Sequence, residues 1–530
     1  MLDTTSVKHR FLASVAGNIL RGIINFAGGL LVARGLSPSY YGDLMFLSGS
    51  FIAIRSLMDM GTSSAFYTFI SQRARDRKFY LYYYGWLLLQ FVFTSLLITA
   101  IMPQTIIDRI WLGHSRGIIL LAFLATFLQQ QVWQAIGQVG DASRKTVRVQ
   151  IMGLVVAIAH ILIIAILLSF KMLSISIVFW LFTVEYFLVM VWSIWFLGEK
   201  RNPVEEQEVV SLSLRRTANE YWVYCRPLVF LSIGAFVGAF ADRWMLQHFA
   251  GASQQGFYQI SNQFAAVSLL ATTSILRIFW KEIAEASALN NDARVAYLYR
   301  KVTRSLVMFS AILSGFLIPW SEQIVSLTLG KAYIVAWPVL AIMFLYPIHQ
   351  SLGQIIGTMF LAKEQTRTYT LMTVIIMLVS LPVSYFVQAP TSGALIPGLG
   401  LGATGMGLKM VVFNIFSVNI GAWIIARRHN WKFDWSYQVI GVSLVIGLGY
   451  LAKFVVGLHW NFNNITGYTG IIRLSAPMLF TGVIYLSAIT GLLWLMPWIA
   501  GMEREQIKAM LTRIKALFGG FLKLKVLRER

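Results

Sequence analysis

Apolar residues run through this chain in stretches of about twenty, split by short polar breaks, which is the length scale of a bilayer core rather than of a globular domain. Such stretches predict spanning helices near residues 11–33, 40–70, 80–102, 116–138, 149–170 and 174–197. A polar stretch, Gly198 to Cys225, then interrupts the series, as a join between two halves would. Further spans fall near 226–248, 256–280, 303–326, 336–362, 369–387, 403–427, 436–457 and 472–498, making fourteen. The pattern therefore predicts an all-α, polytopic integral membrane protein with about fourteen transmembrane helices. Beyond residue 500 the pattern changes: Ile507, Met510, Leu511, Ile514, Leu517, Phe518 and Phe521 recur at helical spacing, with Lys508, Arg513 and Lys515 between them. This predicts a basic amphipathic helix lying on the anionic inner leaflet.

Composition agrees and adds orientation. Of 530 residues, 57% are hydrophobic and only 12% charged, with a mean hydropathy of +0.67. That excludes a disordered chain and leaves too little polar surface for a soluble enzyme of this size. The single cysteine, Cys225, excludes an internal disulfide framework and a cysteine-based zinc cluster. The charges are unbalanced, 44 Lys+Arg against 22 Asp+Glu for a formal +22, but placement explains the excess. With the N-terminus inside, 32 basic residues fall on the inner side, seven in outer loops and five within or at the edge of spans. No loop is out of step, which predicts cytoplasmic termini and makes nucleic acid an unnecessary partner. The first span is broken by Asn18, Arg21 and Asn25 and carries no A-x-A-like site, so it reads as a retained helix.

An internal repeat supplies the architecture. Gln134, Ile136, Gly137, Ala142 and Thr146, closing the fourth span, recur as Gln354, Ile356, Gly357, Ala362 and Thr366, closing the tenth. Ser39 and Gly42 before span two match Ser253 and Gly256 before span eight, at a nearby offset. A shift of six spans is even, so the halves point the same way, related by an axis along the membrane normal. The expected domains are a six-helix bundle at 1–200, a cytoplasmic linker at 201–225, a second six-helix bundle at 226–430, two added helices at 431–500 and the basic tail at 501–530. These are two parallel, pseudo-symmetric bundles plus two C-terminal helices.

On these residues a family resemblance appears. Leu31-Val-Ala-Arg-Gly-Leu-Ser-Pro-Ser-Tyr-Tyr-Gly42 resembles the A-R-x-L-x-P-x-x-[FY]-G signature of bacterial polysaccharide exporters. Leu401-Gly-Ala-Thr-Gly-Met-Gly-Leu-Lys409 resembles the G-x-x-G-A-A-x-A-T start of their twelfth span, with Lys409 in place of a small polar residue. The family is that of the Wzx-type oligosaccharide flippases, in the superfamily that also holds murein lipid flippases and multidrug exporters. The resemblance implies translocation of an undecaprenyl-pyrophosphate-linked oligosaccharide across the bacterial inner membrane, in polysaccharide, lipopolysaccharide or O-antigen biosynthesis. Glycosyltransferases and a glycan polymerase of the same pathway are the implied partners. Like the murein lipid flippases, the chain would use its last two helices to border the lipid tail.

Charges inside spans are costly and mark function by default. Arg21 lies near the midplane of span one, on a stripe of Ser14, Asn18, Asn25 and Gly28. Arg55 lies at similar depth in span two, on a face with Ser48, Asp59 and Ser63. Two guanidiniums at one depth suit a pyrophosphate, so Arg21, Arg55, Asn18 and Asn25 are the candidate substrate-binding residues. The alternative is that Arg55 and Asp59, at i and i+4, neutralise each other. The murein lipid flippases are similar in placing essential arginines in the first two helices. Asp59, Glu185, Asp242, Arg243 and Lys409 are candidates for ion coupling or gating, with depth making an Asp242–Lys409 pair feasible. Glu185 lacks a basic residue one turn away, and an acid there can carry a proton or Na+; the alternative is a satisfied buried glutamate, hydrogen-bonded to a neighbouring helix. His160 and His349 read as packed histidines.

No metalloprotease, P-loop or hydrolase signature is present, so no cofactor is expected beyond a coupling ion, H+ or Na+. The leading expectation is a flippase of lipid-linked oligosaccharide working by alternating access. Its rivals are a small-molecule or drug antiporter on the same scaffold and a membrane-bound polysaccharide polymerase or ligase, the latter disfavoured by short outer loops.

Overall fold

In a bilayer the backbone must satisfy itself, so apolar runs of this length can only coil. In the computed structural model, helices are the regular elements throughout the described residues, which are 7–198, 213–269, 279, 282–283, 285–286, 289, 291–363, 365–393, 396–460, 462, 467–509 and 512. Eleven helices are long and apolar enough to cross a membrane, or thirteen when two bent pairs are each counted as one span. The remaining expected span, near 256–280, is described only to Leu269, so the fourteen of the hydropathy pattern fit. The amphipathic tail past residue 509 lies outside the described residues apart from Thr512, as does the first part of the linker, 201–212. Two compact units interleave along the chain: Met1–Gln263 with Thr373–Lys409, and Phe264–Met372 with Met410–Arg530.

The first unit begins with α1 (Val7–Gly35) and α2 (Pro38–Asp59). Ser37 caps α2, its hydroxyl accepting from Tyr40 N, and Pro38 occupies the first turn, where its missing N–H costs nothing. Span two was expected as one helix over 40–70, but it breaks: Met60 and Gly61 take positive φ of 43° and 89°. α3 (Thr62–Gln72) leaves at 58° to α2. Asp59 does not continue a polar stripe into Ser63. Its carboxylate accepts from Ser63 N and Oγ, both at 2.9 Å, and from Thr62 Oγ1 at 3.1 Å, capping the new helix.

The unit continues through α4 (Arg77–Leu96), which is capped by Asp76, and α5 (Gln104–Ile110). Next come α6 (Arg116–Phe127), a π turn at Leu128–Val132 and α7 (Trp133–Ala142). A hairpin of α8 (Thr146–Ser169) and α9 (Ile175–Phe196) follows. The later part of the expected linker is helical, α10 (Leu214–Cys225), and α11 (Val229–Ala250) and α12 (Ala252–Leu269) follow, the last passing into the second unit after Gln263. Phe46, Phe51, Phe66, Phe123 and Phe179 are buried, while Leu88, Phe93, Ile166, Trp180 and Ile194 stand exposed on helices of the same unit. Exposed apolar surface on this scale is a lipid-facing belt.

Loops assigned to one side by their charge meet at one end of this unit. Arg75 forms a two-pronged pair with Glu220 at 2.9 and 3.0 Å, and Lys145 and Arg148 donate to the carbonyls of Leu197 and Phe196. At the other end, Asp43 accepts from Gln247 at 2.7 Å and lies 3.4 Å from His114. There α2 and α12 cross almost in backbone contact. A Cβ on Gly42 would lie 1.7 Å from Ala252 O, and one on Gly256 would lie 2.3 Å from Pro38 O. These two contacts exchange when 214 is added or subtracted, the offset of the weaker sequence match.

The second unit contains α13 (Asp292–Leu317), α14 (Ser321–Thr328), and the bent pair of Lys331–Met343, whose helical part is α15 (Trp337–Met343), with α16 (Tyr346–Ala362). α17 (Thr366–Gln388) and α18 (Gly402–Arg428) are each shared between the units. α19 (Val442–Gly457) and α20 (Gly467–Leu495) are the two added helices. They pack on α13: a Cβ on Gly449 would fall 1.9 Å from Gly315 O, and Tyr485 donates to Ile312 O at 2.9 Å. The core gathers Leu306, Val307, Ile355, Ile356, Phe360 and Tyr485. The repeat is visible in packing as well as sequence. Gly137 faces Val149 in the first unit, and Gly357 faces Tyr369 in the second, both pairs at the offset of 220.

Candidate functional site

The first unit encloses a cavity of about 560 Å3, within the usual range for small-ligand pockets. Arg21 and Asn25 of α1 line it, together with Gln129 and Gln130 from the π turn, His160 of α8 and Glu185 of α9. The π turn adds a residue to the helix and swings consecutive glutamines toward the cavity, a common use of such bulges.

Arg21 is set by two neighbours, Asn18 and Gly153. Its Nη2 donates to Asn18 Oδ1 at 2.8 Å, and Asn18 Nδ2 in turn donates to Ser14 Oγ at 3.4 Å. Gly153 of α8 leaves the space that the guanidinium fills, since a Cβ there would lie 2.8 Å from Arg21 Nη1. Arg21 makes no ion pair among the described residues, so its charge is available to an anion in the cavity. Asn18 holds the arginine rather than lining the cavity, whereas Asn25 lines it one turn further along.

Arg55 sits elsewhere. It does not line the cavity; it donates to Gln130 Oε1 at 3.3 Å and to Gln134 Oε1. Arg55 therefore neither faces the cavity beside Arg21 nor donates to Asp59, whose carboxylate is engaged at the start of α3. It stands behind the glutamine wall, one side chain removed from the space that Arg21 faces.

Glu185 is buried and meets a partner that its own helix does not supply. His160 Nδ1 stands 2.9 Å from Glu185 Oε2, and the imidazole stacks on Phe182 at 4.8 Å between ring centroids. The contact joins α8 and α9 across the cavity wall and satisfies the buried carboxylate from the neighbouring helix. The sequence reading had His160 as merely packed. A signal was present: both residues lie nine or ten positions from the short turn at 170–174, hence at one depth on a hairpin.

The other intramembrane charges form a second cluster within this unit. Lys409 Nζ lies 2.7 Å from Asp242 Oδ2, and Ser384 Oγ donates to Asp242 Oδ1 at 2.5 Å. Lys409 is 4% exposed, so this pair is shielded from solvent. Arg243 turns away from it, donating to Ala239 O at 2.8 Å and lying against Gly49 of α2, where a Cβ would meet its Nε at 2.4 Å.

Comparison with solved structures places this arrangement of helices. An inward closed structure of the lipid II flippase MurJ superposes with a TM-score of 0.63 and 14% identity, over 91% of this chain and 99% of that one. An inward-facing multidrug resistance MATE transporter of the MOP superfamily gives a TM-score of 0.61 and 15% identity, over 77% and 94%. The chain has the MurJ/MATE fold. No protein-family profile matches it. It is homologous to a Haloferax volcanii protein named "Probable low-salt glycan biosynthesis flippase Agl15", with 21% identity over 281 residues. That alignment covers 52% of this chain and 56% of the relative, so the chain matches little more than half of that relative's length. These similar proteins carry the names of two flippases and a transporter, and the chain is a multi-pass membrane protein.

Proposed function

We propose that this protein is a flippase that moves a lipid-linked oligosaccharide between bilayer leaflets by alternating access. The observation that carries the reading is Arg21: a guanidinium with no acidic partner among the described residues, facing a ligand-sized cavity between spanning helices. An arginine within a membrane span is costly unless an anion arrives to meet it, and the pyrophosphate of a polyprenyl-linked glycan is such an anion. Arg21 would bind it through a planar fork, with Asn18 orienting the arginine and Asn25 adding a polar contact. Arg55 would hold Gln130 and Gln134 in the wall and place a second positive charge behind them. The names of the proteins it is similar to support the same substrate class: a lipid II flippase by fold and a glycan biosynthesis flippase by ancestry.

Glu185 with His160 is the proposed site of ion coupling, by H+ or Na+, and the Asp242–Lys409 pair with Arg243 the proposed gating element. Asp59 would act through the kink it caps. The moving halves would be the bundles at 1–200 and 226–430, with α19 and α20 bordering the lipid tail. We place the protein in a bacterial cytoplasmic membrane with both termini inside, working beside the glycosyltransferases and polymerase of one polysaccharide pathway.

The MATE-like fold supports a second reading, an antiporter of small molecules, which a cavity headed by an unpaired arginine disfavours for cationic drugs. Liposomes holding the purified protein and a pyrophosphate-linked oligosaccharide lipid decide between them. Flipping by the wild type and its loss in Arg21→Ala is the expected result. Unchanged flipping in Arg21→Ala removes the phosphate-binding role, and drug transport without any lipid movement selects the antiporter.

A further inference from the structure

The second unit holds a smaller cavity, of about 50 Å3, whose chemistry the transport reading does not use. Arg300, Thr303 and Arg304 of α13 line it on one side, and Lys432, Asp434 and Tyr437 on the other. One set belongs to the first half of α13 and the other to the segment just before α19, and the fold brings them together.

Its charges do not cancel. Arg304 is consumed internally: one nitrogen bonds Asp434, Nη1 donates to Trp498 O at 2.8 Å, and its guanidinium lies 5.5 Å from the centroid of the Tyr437 ring. Asp434 is ionised. Burial alone would raise its pKa, but hydrogen bonds from Ser436 and the Arg304 charge outweigh that and hold it below the ordinary 3.8. With those two paired, Arg300 and Lys432 remain at the exposed mouth as two uncompensated positive charges.

The floor is polar and unsatisfied. Thr303 is 4% exposed and its hydroxyl has no hydrogen-bond partner among the described residues; Arg304 Nε is likewise buried without an acceptor among them. Buried donors are nearly always paired in native proteins, so two of them lining or bordering one cavity call for an acceptor inside it. At roughly 10–15 Å3 per water-sized group, the cavity has room for about three to five such groups, the size of a tetrahedral oxyanion. The level in the membrane also suits one. Trp423 and Trp435 are exposed nearby, with Arg427 over the Trp423 ring at 5.4 Å, the aromatic and basic signature of the headgroup layer.

We infer that this cavity is a phosphate site, with Arg300 and Lys432 at its mouth and Thr303 and Arg304 Nε at its floor donating to the phosphate oxygens. Basic pockets between spanning helices bind anionic lipid headgroups in this way, and a free phosphate has the same chemistry. The site is independent of the substrate cavity in the first unit.

The test uses the full-length protein in phosphatidylcholine nanodiscs, followed by thermal unfolding. One arm titrates phosphatidylglycerol into the disc and the other adds inorganic phosphate to the buffer. A stabilisation by phosphatidylglycerol that is about tenfold weaker in apparent affinity in Arg300→Gln/Lys432→Gln identifies a lipid phosphodiester. The same loss seen with inorganic phosphate identifies the free anion. Arg215→Gln/Arg216→Gln, which removes two exposed charges elsewhere, should respond as the wild type does. Thr303→Val, which keeps the shape and removes the donor, should weaken binding in the same arm. No stabilisation by either probe overturns the inference. So does equal loss in the Arg215/Arg216 variant, or full binding by Thr303→Val.

Discussion

Replacing Gly42 by alanine tests the crossing of α2 and α12, and its cost follows from the geometry. The new Cβ would lie 1.7 Å from Ala252 O and 2.7 Å from the carbonyl carbon, against a closest approach of about 3.0 Å for real Cβ atoms. The obstacle is backbone, so no rotamer change relieves it, and the helices must separate by roughly 1.3 Å. Overpacking of this kind costs about 1–3 kcal/mol, and a backbone obstacle puts Gly42→Ala toward the upper part of that range. Gly256→Ala meets Pro38 O at 2.3 Å and needs only about 0.7 Å of separation, so it should cost less. One separation relieves both contacts, and the double variant should therefore be little worse than Gly42→Ala alone. Thermal or denaturant unfolding of the four proteins in detergent measures this as a double-mutant cycle. Additive costs, or a Gly42→Ala protein as stable as the wild type, would refute the reciprocal crossing and the pseudo-symmetry drawn from it.

Other expectations are simpler. Glu185→Gln should uncouple flipping from an imposed ion gradient, and His160→Ala should shift the pH dependence of transport, while both proteins keep wild-type folding by circular dichroism; unchanged gradient and pH dependence in both would remove the coupling role. Lys409→Met leaves the half-buried Asp242 with only Ser384, and should destabilise by about 3 kcal/mol, the low end of the cost of breaking a buried pair; adding Asp242→Leu should recover most of that in unfolding assays. Asp434 titrates below its ordinary value, so its folded-state advantage is complete above about pH 4 and fades as pH falls through the lower folded pKa. The stability gap between wild type and Asp434→Asn should accordingly be widest near neutrality and narrow in acid.

Much of this molecule is legible along the chain because a bilayer imposes one coordinate, depth. Apolar run length gave the spans, and the basic residues placed loops on one side that do meet at one end of each unit, as Arg75 meets Glu220 and Lys363 meets Asp292 at 3.1 Å. Depth also made Asp242 and Lys409 a plausible couple before any contact was known. It failed for Arg55, which matches Arg21 in depth yet turns toward Gln130 and Gln134. It failed again at Asp59 and Ser63, where a stripe drawn through an unbroken helix crosses the kink at Met60 and Gly61.

The sequence by itself determined an all-helical membrane protein, its spans, which charged loops share an end and the repeat that links its segments. Each of those depends on composition and spacing along one helix axis, where 1.5 Å per residue converts number into depth. Only the tertiary structure decided which buried charge meets which: Arg21 against Gly153 and Asn18, His160 against Glu185, Arg304 against Asp434. Partnership depends on the direction a side chain takes around its helix and on the neighbour waiting there, and both are set by packing between segments far apart in the chain.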